Sequence, residues 1–241
     1  MSQIAIVGES GTGKSSSFGI IPEIGVKGLN PKETVIINVA GKDLPFRGWK
    51  KYYNGKISEG GNYLESSDAV QITSAIKYIS ENRPEIKNVI IDDAQYIMAF
   101  EFMRKAKESG YGKFADIGVN IAKVVEAART TRDDLKVYFL WHPETDNTGK
   151  KKMKTVGKMV DDYLTLEGLF TVILYTNVGK GANNKIEYTF VTNNDGDSPA
   201  KSPVGMFKDL YIPNDLGTIS SSIDAYNNGE ESVATKKLVV A

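Results

Sequence analysis

The sequence predicts an α/β fold: a mainly parallel sheet with helices on both faces. Three observations predict it. Short apolar, β-branched runs recur along the chain, as in Ile4–Val7, Thr34–Val39, Asn88–Ile91 and Lys136–Trp141, and such runs are what strands buried on both faces require. Segments with apolar residues at helical spacing separate them. Two polar motifs each stand immediately after one of these strands, and in parallel sheets binding residues gather beyond the strand carboxyl ends.

The elements follow in order. Ile4–Val7 is a buried strand that enters a glycine-rich turn, and a short helix is expected from about Lys14, stopped before Pro22. Thr34–Val39 is the second strand. Residues 40–62 carry Gly41, Pro45, Gly48, Gly55, Gly60 and Gly61 and read as a long loop of the kind that serves function. Val70, Ile72, Ala75, Ile76 and Ile79 set a helical period over Asp68–Glu81. The third strand ends at Asp92 and Asp93, and two helices are expected near Ala94–Glu108 and Ala115–Thr131, broken at Gly110 and Gly112. After the fourth strand comes a polar, lysine-rich connection over Lys150–Val160. Phe170–Thr176 and Ile186–Thr192 form a later pair of strands joined by turn residues 179–184, and Leu216–Tyr226 is a weaker helix. Residues 1–226 are read as one domain and 227–241 as a flexible tail.

Composition narrows the function. Of the 241 residues, 41% are hydrophobic and 25% charged, the mixture of an ordinary globular protein. No apolar run approaches a membrane span, and the N-terminal residues lack a secretory pattern, so a cytoplasmic protein without membrane contact is expected. Cysteine is absent and His142 is the one histidine, which removes disulfides, thiolate sites and histidine-rich metal sites. Thirty basic residues balance thirty acidic ones, which argues against a uniformly basic nucleic-acid binder while leaving local basic surfaces open.

The glycine turn carries the sharpest signal. Gly8-Glu9-Ser10-Gly11-Thr12-Gly13-Lys14-Ser15 matches the phosphate-loop pattern, with Ser16 following. Glycines allow the backbone amides to converge on phosphate oxygens. Lys14 supplies a positive charge to the β- and γ-phosphates, and Ser15 offers its hydroxyl to Mg2+. Val89-Ile90-Ile91-Asp92-Asp93 is a strand delivering carboxylates: Asp92 for the metal side, Asp93 for polarising an attacking water. His142, at the tip of the fourth strand, is a candidate γ-phosphate sensor, and that strand is expected between the other two motif-bearing strands. Asp43 and Glu9 compete with Asp93 for water activation. ATP with Mg2+ is the expected ligand, and no Asn-Lys-x-Asp motif points to guanine.

Three basic groups remain. Lys150, Lys151, Lys152, Lys154 and Lys158 are read as a solvated hairpin, as a nucleic-acid contact, or, for Lys154 and Lys158, as cations reaching a neighbouring subunit's γ-phosphate. Arg47, Trp49, Lys50, Lys51, Tyr52 and Tyr53 interleave cations with rings; anchoring of the loop is favoured over stacking on bases. Arg104, Lys105, Lys107 and Lys113 surround Gly110-Tyr111-Gly112, where a DNA-facing loop is the functional reading.

GESGTGKSSS at Gly8–Ser17, LPFRGW at Leu44–Trp49, VIIDDAQY at Val89–Tyr96, the run Lys154–Tyr175 and the segment Lys201–Leu216 together resemble the phage-encoded RecA-like P-loop ATPases, some of which are single-strand annealing proteins. The resemblance implies a RecA-like P-loop NTPase core with added C-terminal strands. It further implies an ATPase acting on single-stranded DNA in annealing, recombination or replication, in the host cytoplasm. A homo-oligomer, ring or filament, and a single-strand DNA-binding protein are the implied partners. Ser10, Gly13, Lys14, Ser15 and Asp92 carry over as nucleotide and metal residues. The chain departs from the pattern after the second strand, where VAGKD offers no catalytic glutamate. The alternatives are a small-molecule kinase with Arg129 and Arg132 as lid arginines, a nucleotide-gated interaction module, and a helicase-loader-like ATPase.

Overall fold

The computed structural model describes residues 3–162, 164–181 and 184–231. Among the described residues there are ten strands and six α-helices: β1 Gln3–Val7, β2 Thr34–Asn38, α1 Trp49–Tyr52, β3 Tyr63–Glu65, α2 Ala69–Asn82, β4 Asn88–Asp92, α3 Tyr96–Arg104, α4 Gly112–Arg129, β5 Lys136–Trp141, β6 Pro143–Thr145, β7 Lys151–Met153, α5 Lys158–Asp161, β8 Val172–Lys180, β9 Ile186–Val191, β10 Tyr211–Pro213 and α6 Leu216–Asn227. Eight strands form one sheet in the order β10-β9-β8-β1-β5-β4-β2-β3. The six from β8 to β3 run parallel, and β9 and β10 add antiparallel strands at one end.

Two apolar layers sandwich the sheet. Alternate residues of each strand point to opposite faces, so Ala5, Val7, Ile37, Ile91 and Phe139 pack with α2 and α4. Ile4, Ile6, Ile36, Ile90 and Tyr138 pack on the other side with α6 and with Leu44 and Tyr53 of the long loop. Helix α2 illustrates the local logic. The Asp68 side chain accepts from the Gln71 amide at its start, and Ile72, Ile76 and Ile79 turn a fully buried stripe inward.

Register aligns the strand ends. Val7 is opposite Trp141 on one side and Tyr175 on the other, and Asn38 is opposite Asp92. The residues that follow, Gly8, His142, Thr176 and Asp93, therefore emerge along one edge of the sheet.

The structure corrects several expectations. The helix after the glycine turn is a four-residue 3-10 turn, Ser15–Phe18, which Gly19 closes by donating to the Ser16 carbonyl. The Ser17 hydroxyl donates to the Lys14 carbonyl in competition with helical backbone bonds, and the Phe18 carbonyl is taken by the Leu29 amide instead. Gly112 opens α4 and does not separate it from α3, which ends at Arg104. The lysine-rich connection folds as the β6–β7 hairpin followed by α5. The expected tail lies outside the described residues from 232 onward.

Candidate functional site

The glycine loop leaves β1 and crosses the end of the sheet. Gly8 is pinned where its amide donates to the Trp141 carbonyl at 3.0 Å, and a Cβ at this position would stand 1.8 Å from Thr176 Oγ1. Only glycine fits so close an approach. Gly13 adopts φ +91, a left-handed conformation, with Asn214 and Tyr188 packed beside it. Glu9, Ser10 and Gly11 are exposed at the crest, while Thr12, Ser15 and Ser16 are half-buried. Among the described residues, the amides of Gly11, Gly13 and Lys14 meet no backbone acceptor. Backbone amides left without an acceptor in a glycine-rich turn suit an anion. The following turn is too short to add a helix dipole, so the loop's own amides and Lys14 carry the attraction.

Lys14 is buried and folded back on the loop. Its Nζ donates to the Gly8 carbonyl at 2.6 Å and to the Glu9 carbonyl at 2.8 Å. Burial lowers its pKa to about 8, against the opposing pull of Asp93 and Asp92. Ser15 Oγ donates to Asp92 Oδ1 at 2.8 Å, joining the glycine loop to the end of β4. Asp92 is almost wholly buried, and its pKa is pushed up to about 6 by that burial and by the charge of Asp93.

Asp93 holds φ +60, an uncommon conformation for a residue with a side chain. It is 1% exposed and sits between two cations or potential cations: Lys42 forms an ion pair with it, and His142 Nε2 lies 3.2 Å from its Oδ1. Burial works to raise the Asp93 pKa, but the bonds to His142 and Lys42 outweigh it and hold the carboxyl below its usual range. Beneath this trio is Asn38, fully buried at the end of β2. Its Nδ2 donates to the Lys42 carbonyl at 2.6 Å and to Tyr63 Oη at 2.9 Å, and its Oδ1 accepts from the Gly41 amide at 3.0 Å.

The residues singled out in the sequence divide clearly. Gly8–Ser16, Asp92, Asp93 and His142 converge on one edge. Lys154 is near them through its backbone, which accepts from Trp141 Nε1 at 2.7 Å and donates to the His142 carbonyl at 3.0 Å, but its side chain is exposed. Lys158 is exposed at the start of α5. Lys152 is committed to Glu144 and Asp161. Asp43 pairs at the surface with Lys50, 3.1 Å away, and Glu9 points to Lys151 at 3.8 Å, so neither joins the Asp92–Asp93 cluster.

Arg129 and Arg132 are the clearest correction. Helix α4 runs back across the sheet, so its end precedes the start of β5, at the edge opposite the glycine loop. Arg129 pairs with Glu126. Arg132 donates to the carbonyls of Ile79, Ser80, Arg83 and Ile86 and pairs with Asp134. Neither can cover a phosphate. In the long loop, Trp49 packs on Tyr63 with ring centroids 5.5 Å apart and Tyr53 is buried, as anchoring requires, whereas Tyr52 is exposed. Around Gly110, Arg104 binds Ser67, Lys105 pairs with Glu101 and Asp116, and Lys113 lies over the rings of Phe102 and Phe114. These contacts brace α3 against its neighbours. Tyr111 remains exposed.

Sequence reasoning missed Lys42, Thr176, Asn214 and Tyr188. Lys42 carried only a weak signal, a lysine in the turn beyond Asn38, the end of β2. Compared with known proteins, the chain matches no family model, and no curated protein is significantly similar to it.

Proposed function

We propose that this chain is an ATP-binding, slowly hydrolysing P-loop protein of RecA-like type that acts on single-stranded DNA in annealing, recombination or replication. The hydrogen bond from Ser15 to Asp92 carries the reading. A hydroxyl and a carboxylate joined across the ends of β1 and β4 are the donor set that would hold Mg2+ between a phosphate cradle and a metal-side acid. The ion would neutralise charge on the bound phosphates. Lys14, relieved of its carbonyl partners, would turn to the same phosphates, and the free loop amides would receive their oxygens.

The position of β5 between β1 and β4 supports the additional-strand arrangement that the resemblance implies. Asp93 and His142, 3.2 Å apart at the same edge, would be the groups that orient a water for attack. The action on DNA rests on the resemblance, with the exposed Tyr52, Lys51, Lys154 and Lys158 as available contacts.

Calorimetry with MgATP tests the binding, and phosphate release with and without single-stranded DNA tests the rest. Uptake by the wild type, its loss in Lys14→Ala, and release that rises with DNA are the expected results. No uptake by the wild type overturns the site, and release stimulated by a nucleoside in place of DNA overturns the DNA reading in favour of a kinase. One observation favours a second reading, the nucleotide-gated module: Lys42 neutralises the acid that would polarise water. Tight binding with no release under either condition would select it.

A further inference from the structure

We propose that Lys42 is the γ-phosphate sensor of this protein, a cation that exchanges Asp93 for a terminal phosphate when a nucleoside triphosphate is bound. The inference rests on the nucleotide-binding reading of the glycine loop and names which residue distinguishes triphosphate from diphosphate.

Lys42 is built as a fixed base with a movable head. Its carbonyl is held at 2.6 Å by Asn38, a fully buried side chain, and the preceding Gly41 amide is held by the other end of the same amide group. Asn38 is itself in register with Asp92, so the Lys42 backbone is referenced to the acid-bearing strand. Gly41 at φ +66 makes the tight turn that this capping needs, and a Cβ there would meet Glu65 Oε1 at 2.7 Å. The Lys42 side chain, in contrast, is 57% exposed and ends in an ion pair with Asp93, whose own side chain is 2% exposed. An ammonium anchored at its backbone and open along its stem can turn without disturbing the fold.

What it can turn toward is set by its neighbours. Lys42 pairs with Asp93, the chain neighbour of Asp92, and Asp92 accepts from Ser15 of the glycine loop at 2.8 Å, so the ammonium and the loop meet the same pair of acids. A terminal phosphate brings more negative charge than one carboxylate and three acceptor oxygens. A diphosphate ends one group short. Lys42 therefore has a competing partner only in the triphosphate state. Its departure leaves Asp93 with His142 alone, free to accept a hydrogen bond from water. In the ligand-free state the same ion pair keeps Asp93 occupied.

The test compares MgADP with a magnesium complex of a non-hydrolysable imido analogue of ATP, by calorimetry, on the wild type, Lys42→Met, Lys42→Arg and Lys42→Met/Asp93→Asn. Lys42→Met should weaken the imido analogue about tenfold or more, the scale of one charge-assisted bond, and change MgADP less than twofold. Lys42→Arg should keep most of the preference. The double variant separates the lost cation from the repulsion of a stranded carboxylate, and the selective loss should persist in it. A wild type that binds both nucleotides while Lys42→Met weakens them equally, or neither, overturns the role of Lys42 alone. Recovery of the preference in the double variant overturns it too. A wild type that takes up neither nucleotide sinks the parent reading, and this inference with it.

Discussion

Thr176 Oγ1 donates to Thr12 Oγ1 at 2.7 Å, and Thr12 Oγ1 donates in turn to the Glu9 carbonyl at 2.7 Å. A residue at the tip of β8 thus holds the shape of a loop that begins at the tip of β1. Asn214, ahead of α6, adds a longer bond to the Thr12 carbonyl at 3.4 Å.

This clasp predicts that Gly8→Ala is damaging, because the new methyl group overlaps Thr176 Oγ1. Overpacking of this kind costs about 1–3 kcal/mol. Chemical denaturation should register the loss, and calorimetry should show weaker MgATP uptake. Adding Thr176→Ala should recover part of both. A Gly8→Ala protein as stable as the wild type would contradict the packing.

Asp92 predicts an unusual pH response. Its folded pKa of about 6 lies above the ordinary carboxyl value, so between about pH 4 and 6 the folded state binds more protons than the unfolded state. This residue therefore favours folding at the acid end of that window, and its contribution is lost as pH rises through 6. Without ligand or divalent metal, Asp92→Asn keeps an acceptor for Ser15 and removes the buried charge. It should be more stable than the wild type at pH 7 by about 3 kcal/mol, with the gap closing toward pH 4. A gap that does not change with pH would contradict this environment.

Lys14 titrates on the other side of neutrality. Burial places its pKa near 8, and phosphate needs the charged form. MgATP affinity should hold steady below about pH 7.5, then fall toward tenfold per unit above 8. Lys14→Arg, charged throughout that range, should give a flatter profile at lower affinity. A wild-type profile flat to pH 9.5 would exclude Lys14 as the phosphate contact.

Arg132 should behave as a structural residue only. It satisfies four carbonyls around the end of α2, and leaving such groups unpaired costs on the order of 2–4 kcal/mol. Arg132→Ala should lower the melting temperature and leave MgATP affinity unchanged. A selective loss of nucleotide affinity would return this arginine to the site.

The sequence disclosed those parts of the site that follow a strand within one motif. Gly8–Ser15, Asp92 and the four central strands were legible because close spacing and apolar runs encode them directly. Thr176, Asn214 and Tyr188 were not, since they reach the loop only once β8, β9 and β10 have been laid beside β1. The helix expected after Lys14 shortens to a 3-10 turn in which the Ser17 hydroxyl bonds the Lys14 carbonyl, a local competition that periodicity does not record. Arg129 and Arg132, the lid arginines of the kinase alternative, lie at the far edge because chain direction sends the end of α4 to the start of β5.

The strand that carries the glycine motif has neighbours encoded far away from it: β1 pairs with β5 on one side and with β8 on the other. Both contacts close very long loops, the kind of pairing that slows folding. The strand that begins at Gln3 is paired on both sides only when β5 and β8, which reaches Val7 at Tyr175, have both been laid beside it. The shape of the glycine loop is therefore completed by distant chain, with the segment that brings Thr176 to Thr12.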